Sequence, residues 1–147
     1  MSRRRALVLL VVFLAAPLGA VEPDPKALEA MQGTWTMLSF KSNGDEVAAD
    51  TIVTWQRVVS GKHVIWKEKS ETFLETDFSI DASKTPMTLD STIATGDAKG
   101  QTMLAIYELK DDVLRVCFAP PGNPRPSTFD ASSGTGHLMF TAKRLSR

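Results

Sequence analysis

The sequence predicts an all-β domain, an eight-stranded antiparallel up-and-down barrel with one short helix ahead of it. Three observations predict it. From Gly33 onward, short runs of β-branched and aromatic residues recur with a period of two. Most segments between them are hairpin-length clusters of Gly, Asn, Asp, Ser and Lys. Ahead of Gly33, a single stretch of the mature chain carries apolar residues at helical spacing.

Taken in order, Arg3, Arg4 and Arg5 precede an unbroken apolar stretch from Ala6 to Ala16, followed by Pro17-Leu18-Gly19-Ala20. This is the pattern of a signal peptide over residues 1–20, with cleavage expected after Ala20. Ala6–Ala16 falls short of the roughly 17–25 residues that a spanning helix needs, so no membrane span is expected after cleavage. No Cys follows the cut directly, which argues against a lipoprotein. Ser2-Arg3-Arg4 partly resembles a twin-arginine signal, but Ala6 stands where a large apolar residue is usual, which favours the general secretory route. An exported protein, periplasmic or extracellular, is expected. Residues 21–32 form an N-terminal segment in which Pro25 suits a first helical position and Leu28 and Met31 share one face, predicting a helix over Lys26–Gln32.

Residues 33–147 form the barrel domain. The predicted strands are Thr34–Lys41, Thr51–Val59, His63–Lys69, Thr72–Asp81, Met87–Ile93, Thr102–Leu109, Val113–Ala119 and Gly136–Arg144. Ser42-Asn43-Gly44-Asp45, Ser60-Gly61-Lys62, Asp81-Ala82-Ser83-Lys84, the turn from Gly96 to Gly100 and Lys110-Asp111-Asp112 join them. Connections this short force antiparallel neighbours, because a parallel crossover takes about a dozen residues or more. Leu74, Thr76, Phe78 and Ile80 alternate with Glu75, Asp77 and Ser79, which marks one wet face. Interleaved apolar residues such as Leu104 and Ile106 among Met103, Ala105, Tyr107 and Leu109 leave the phase open there. Eight strands with one wet face hide their edges by closing into a barrel or folding into a sandwich, and sequential hairpins favour the barrel. No helix is expected past position 40.

Composition narrows the function classes. The chain has 147 residues, 43% hydrophobic, with a single Cys, which excludes a multidomain enzyme, a collagenous or disordered chain and a disulfide-stapled miniprotein. Without the leader arginines, residues 21–147 hold 14 basic and 17 acidic groups, a charge of about −3 with no basic tract. Nucleic acid and anionic membrane surfaces are therefore disfavoured as partners. His63 and His137 are the only imidazoles and lie in no Cys/His cluster, so no metal and no cofactor is expected. No nucleophile elbow or phosphate loop is present, so no catalytic residue is assigned and an enzyme is the weaker expectation.

Two sets of residues resemble known families. Gly33-Thr34-Trp35 opening the first strand after a short helix is similar to the Gly-x-Trp start of lipocalins and fatty-acid-binding proteins, the calycins. The resemblance implies that Trp35 closes one barrel end and that a basic residue of the last strand, Arg144 or Lys143, packs across it. The segments Met31–Trp35, Asn43-Gly44, Ile106–Leu109, Leu114–Gly122 with its Cys-Phe-Ala-Pro-Pro-Gly, Arg125-Pro126 and Phe129 together resemble a domain family abundant in planctomycete bacteria. That family has no established activity, so this second resemblance implies a domain boundary rather than a chemistry.

The stretch from Pro120 to Thr135, with four prolines, fits a bare meander least. Loops above about 12–15 residues without internal structure are usually functional or disordered. Either Arg125 meets an anionic headgroup while Phe129 covers a tail at one barrel mouth, or Arg125 pairs with a structural acid or a carbonyl and the loop merely crosses to the last strand. Trp66 and Tyr107 complete the candidate ligand-binding set, as aromatic residues able either to line a cavity or to fill a core. Cys117 is expected to be buried packing, and strand-end solvation is the default for both His residues. The sequence thus points to an exported, monomeric, non-catalytic binding protein accepting a small apolar or amphipathic ligand. The alternative is a cell-envelope interaction module with a solidly packed barrel that contacts another protein.

Overall fold

The computed structural model describes residue 22 and residues 24–147. The signal-peptide reading falls on residues outside these. Helix α1 (Pro25–Ala30) is set by its N-terminus: the Lys26 amide donates to Asp24 Oδ1 at 3.1 Å, and Pro25 fills a first-turn position where no amide is needed. It begins one residue ahead of the predicted Lys26–Gln32 and ends two residues sooner. The chain must turn there to let Gly33 enter the sheet. Gly33 has φ +110°, and a Cβ at this position would lie 2.2 Å from the Ser146 carbonyl oxygen, so only glycine fits.

The remaining elements are β1 (Gly33–Ser42), β2 (Asp45–Glu46), α2 (Ala49–Ile52), β3 (Trp55–Ser60), β4 (His63–Glu68), β5 (Glu71–Asp81), β6 (Met87–Ile93), β7 (Thr102–Lys110), β8 (Val113–Phe118) and β9 (Leu138–Ser146). Each neighbouring pair is antiparallel, and β1 pairs with both β3 and β9, which closes an eight-stranded barrel from β1 and β3–β9. Closure removes the sheet edges that an open meander would leave unpaired. β2 is a two-residue addition to β1 across the Asn43-Gly44 turn. Both turn residues have positive φ, 47° and 91°, the geometry that matches the twist of the flanking strands.

Two expectations need correction. Residues 51–54 do not extend the second predicted strand, which starts at Trp55, and the expectation of no helix past position 40 is overturned by the single turn of α2. Thr51, Ile52 and Val53 have the β-branched character of a strand, but tertiary packing overrides it. The helical turn drives Ile52 into the core while Val53 stays exposed, and Thr54 Oγ1 donates back to the Thr51 carbonyl at 2.7 Å.

The inward-facing residues form one apolar core that includes Trp35, Met37, Val64, Phe78, Leu89, Val116 and Phe140. On β7 the inward phase is Ala105 and Tyr107. Ile106 and its cross-strand partner Cys117 face outward, yet both are fully buried. Ala119, Pro126 and Ala131 are buried with them, so residues 119–137 form a flap on the outer wall. The flap is tied down at its far end: the Gly134 and Gly136 amides both donate to Asn43 Oδ1 at 2.9 Å, and the Gly44 amide donates to the Ala131 carbonyl at 2.7 Å.

Candidate functional site

The two ends of the barrel differ in what their interior side chains do. At the end near α1, the buried Trp35 indole donates from Nε1 to the Met31 carbonyl at 3.0 Å. The Arg144 guanidinium lies 4.2 Å from the Trp35 ring centroid, donates from Nε to Asp112 Oδ1 at 2.9 Å, and reaches the Gln32 and Ala30 carbonyls with its remaining nitrogens. The Arg144 hydrogen bond, joined by its charge, holds the Asp112 carboxyl below the ordinary carboxylate range. The Trp35 indole N–H and all three Arg144 side-chain nitrogens have partners here. It is a closed, structural end.

The Pro-rich segment does not bring Arg125 and Phe129 to a barrel mouth. Asp90 points outward between the inward-facing Leu89 and Ser91 of β6, and Arg125 Nη2 pairs with it at 2.7 Å. Arg125 Nη1 donates to the Ala105 and Leu89 carbonyls at 2.7 and 3.2 Å. Phe129 lies on the outer wall under Arg115, whose guanidinium carbon is 4.0 Å from its ring centroid. Of the two roles weighed for Arg125, the structural pairing is the one these contacts describe. Cys117 lies under the same flap, its thiol donating to the Asp130 carbonyl at 3.6 Å, and burial pushes the thiol up from its ordinary value. A thiol held protonated and covered is unsuited to nucleophilic attack.

Tyr107 is buried at 3% exposure, and desolvation pushes its phenol up to about 12, so it stays neutral. It lines neither of the two cavities described next. His63 sits on the rim of β4, with Nδ1 2.8 Å from Asp77 and Nε2 3.3 Å from Glu75; the Asp77 hydrogen bond raises its pKa. Among the described residues, no group of three or more His, Cys, Asp or Glu side chains is arranged to hold a metal.

The far end of the barrel is different. A cavity of about 130 Å³ opens there among Phe40, Trp55, Trp66, Phe73, Met103 and Phe118, with Thr76 and Ser91 among the remaining lining residues. Trp55 organises the rim, meeting Phe40 edge-on at a centroid distance of 5.1 Å and Phe73 at 5.5 Å. Phe73 is 49% exposed, an apolar side chain left at the entrance. Trp66 lies deeper, edge-on to Phe140 at 5.2 Å. Of the residues singled out in the sequence as ligand-binding, Trp66 alone lines this cavity. A larger cleft of about 420 Å³ lies on the outer side, between α2 and strands β1 and β9, where Lys41 and Glu46 pair at 3.8 Å.

The residue that sequence reasoning missed is Arg57. It shares the inward phase of β3 with Trp55 and Val59, lies directly across from Trp66 on β4, and is 3% exposed. Its guanidinium carbon is 5.8 Å from the Trp66 and Phe78 ring centroids and 6.0 Å from that of Phe140. Nη1 has no hydrogen-bond partner, and among the described residues no carboxylate pairs with the side chain. Burial alone pushes the group down to about 9, which leaves it charged at neutral pH. Trp55 Nε1, two residues away on the same inward face, is also buried without an acceptor. The available signal was a charged residue in phase with two apolar ones; in the sequence it reads as evidence that this phase is partly wet.

Comparison with family models, with curated proteins and with solved structures returned no match.

Proposed function

We propose that the protein is an exported, non-catalytic binding protein of calycin-like build that takes a small apolar or amphipathic molecule into the open end of its barrel. The observation that carries this reading is the apolar cavity of about 130 Å³ walled by Phe40, Trp55, Trp66, Phe73, Met103 and Phe118. An apolar cavity of about 150 Å³ in another protein stays dry and takes up benzene, so this one suits a molecule of a single ring or a short chain. Apolar walls supply most of the affinity of such sites, and a few placed polar groups set orientation. The contrast with the other end supports the assignment, since there Trp35 and Arg144 use their polar atoms on the protein's own backbone.

The test is native mass spectrometry of protein purified from its own cell envelope, together with Trp fluorescence across a panel of single-ring and short-chain compounds. A co-purifying small molecule, or saturable quenching by one compound class, is the expected result. A bare mass with no fluorescence response across the panel would reject the reading. Recovery of a protein partner with the cavity still empty would favour the envelope interaction module instead.

A further inference from the structure

The Asn43-Gly44 turn between β1 and β2 is the fastening point of the flap on the outer wall. Asn43 Oδ1 accepts from the Gly134 and Gly136 amides at 2.9 Å each, the Asn43 amide donates to the His137 carbonyl at 2.8 Å, and the Gly44 amide donates to the Ala131 carbonyl at 2.7 Å. Ser133 packs so closely on Gly44 that a Cβ there would lie 2.8 Å from the Ser133 amide nitrogen. Thr135 shapes the opposing turn, its hydroxyl donating to the Ser132 carbonyl at 2.6 Å and accepting from the His137 amide at 3.1 Å. Beneath the flap lie Ile106 and Cys117, fully buried although they face away from the barrel core.

Asparagine followed by glycine is also a pair whose side chain and backbone react with each other readily, because glycine has no Cβ to hinder the approach of its amide nitrogen. That nitrogen bonds to Asn43 Cγ, the Cγ–Nδ2 bond breaks, and ammonia leaves with the proton of the amide, giving a cyclic imide. Solvent water then opens the ring. Addition at Cγ yields aspartate, whereas addition at the main-chain carbonyl yields isoaspartate, whose main chain runs through Cβ and Cγ and is longer by an atom. No oxidant or reductant enters. The chain has two asparagines, and Asn123 precedes Pro124, whose nitrogen has no hydrogen to give up, so Asn43 is the competent one.

In the latched turn both reacting groups are committed elsewhere, the Gly44 N–H to the Ala131 carbonyl and the Asn43 carboxamide oxygen to two amides. We propose that Asn43-Gly44 is a self-modification site gated by the flap: it stays intact while the flap is latched, cyclises when residues 131–137 lift away, and as isoaspartate no longer closes the latch. A two-residue hairpin turn with both φ values positive requires a backbone of ordinary length, and the longer main chain of isoaspartate does not meet that geometry. Aspartate keeps the turn and offers a carboxylate oxygen to the same two amides. Isoaspartate therefore frees the flap and uncovers Ile106 and the Cys117 thiol, while the barrel and its cavity take no part.

The test is to age the mature protein in neutral buffer, natively and in urea, with Thr135→Val and Asn43→Asp alongside. Peptide mass spectrometry follows conversion at Asn43 and separates isoaspartate from aspartate, and Cys117, the single thiol of the chain, is probed with dithiobis(nitrobenzoate). Native wild-type protein is expected to convert measurably, about tenfold or more slowly than in urea. Thr135→Val, which loses two hydrogen bonds in the flap turn, should convert natively about fivefold faster than wild type. Isoaspartate protein isolated from the native sample should have a reactive Cys117 and an unchanged circular dichroism spectrum, whereas Asn43→Asp should keep Cys117 protected. Native protein that never converts, or converts as fast as in urea, would overturn the proposal. So would Thr135→Val converting at the wild-type rate, an isoaspartate form with Cys117 still protected, a reactive Cys117 in Asn43→Asp, or loss of the barrel spectrum on conversion. The wild-type measurements decide the matter even if a variant fails to fold.

Discussion

Two arginines are buried inside this barrel, and the protein treats them in opposite ways. Arg144 has a carboxylate, two backbone carbonyls and the face of Trp35. Arg57, 3% exposed, has three ring systems at the limit of contact and an unpaired Nη1. A cation fully satisfied by its own chain belongs to the architecture, and removing it leaves its partners orphaned. A cation left without an acceptor among aromatic rings costs desolvation that its surroundings do not fully repay, and it weakens the fold.

The contrast yields mutational outcomes of opposite sign. Arg144→Met orphans the Gln32 and Ala30 carbonyls and uncovers Trp35, and is expected to lower stability by about 3 kcal/mol in a denaturant melt. Arg57→Met replaces an unpaired charge by an apolar side chain of similar length, and is expected to leave the unliganded protein as stable or more stable, by up to about 3 kcal/mol. A large loss of stability in the second variant would erase the distinction between the two arginines. Arg125→Ala removes the ion pair to Asp90 and two carbonyl hydrogen bonds on the outer wall, with an expected loss of about 1 kcal/mol. It should leave titrations of the cavity unchanged, and a changed ligand affinity would return Arg125 to the binding site.

The smallest effect belongs to His63. Its pairing with Asp77 and Glu75 raises the folded pKa above the ordinary histidine value, so the associated stability is fully present at acid pH and is lost as pH rises through the raised value. With the His63 side chain 40% exposed, solvent screens the pair and the change is small. His63→Gln should flatten the pH dependence of the melting temperature above about pH 6.5 without moving ligand binding. An unchanged slope in the variant would show that other groups carry it.

The comparison also shows which parts of the molecule a sequence reveals. Met87–Ile93 was legible residue for residue, because Leu89 and Ser91 face the interior while Thr88 and Asp90 face out, and strict alternation has one solution. The closing of the barrel by β1 and β9 was legible from the meander and its short turns. Residues 51–52 were not, since Thr51 and Ile52 favour a strand locally and take a helical turn only because the core accepts Ile52 from that direction. Ile106 and Cys117 look like a second inward phase, yet they are buried from outside by a flap whose course has no sequence period. Arg57 was illegible for a deeper reason. Charge in an inward phase ordinarily signals solvent, and only the three-dimensional surroundings distinguish a wet cation from a dry one.

The most direct measurement uses the indole N–H signals of the three tryptophans in a ¹⁵N-labelled sample titrated with the single-ring and short-chain compounds of the panel. Trp55 and Trp66 are at the cavity, and Trp35 is at the sealed end as an internal control. Saturable shifts of the Trp55 and Trp66 signals with a stationary Trp35 signal are predicted. Shifts of all three together, or none at saturating ligand, would contradict the account.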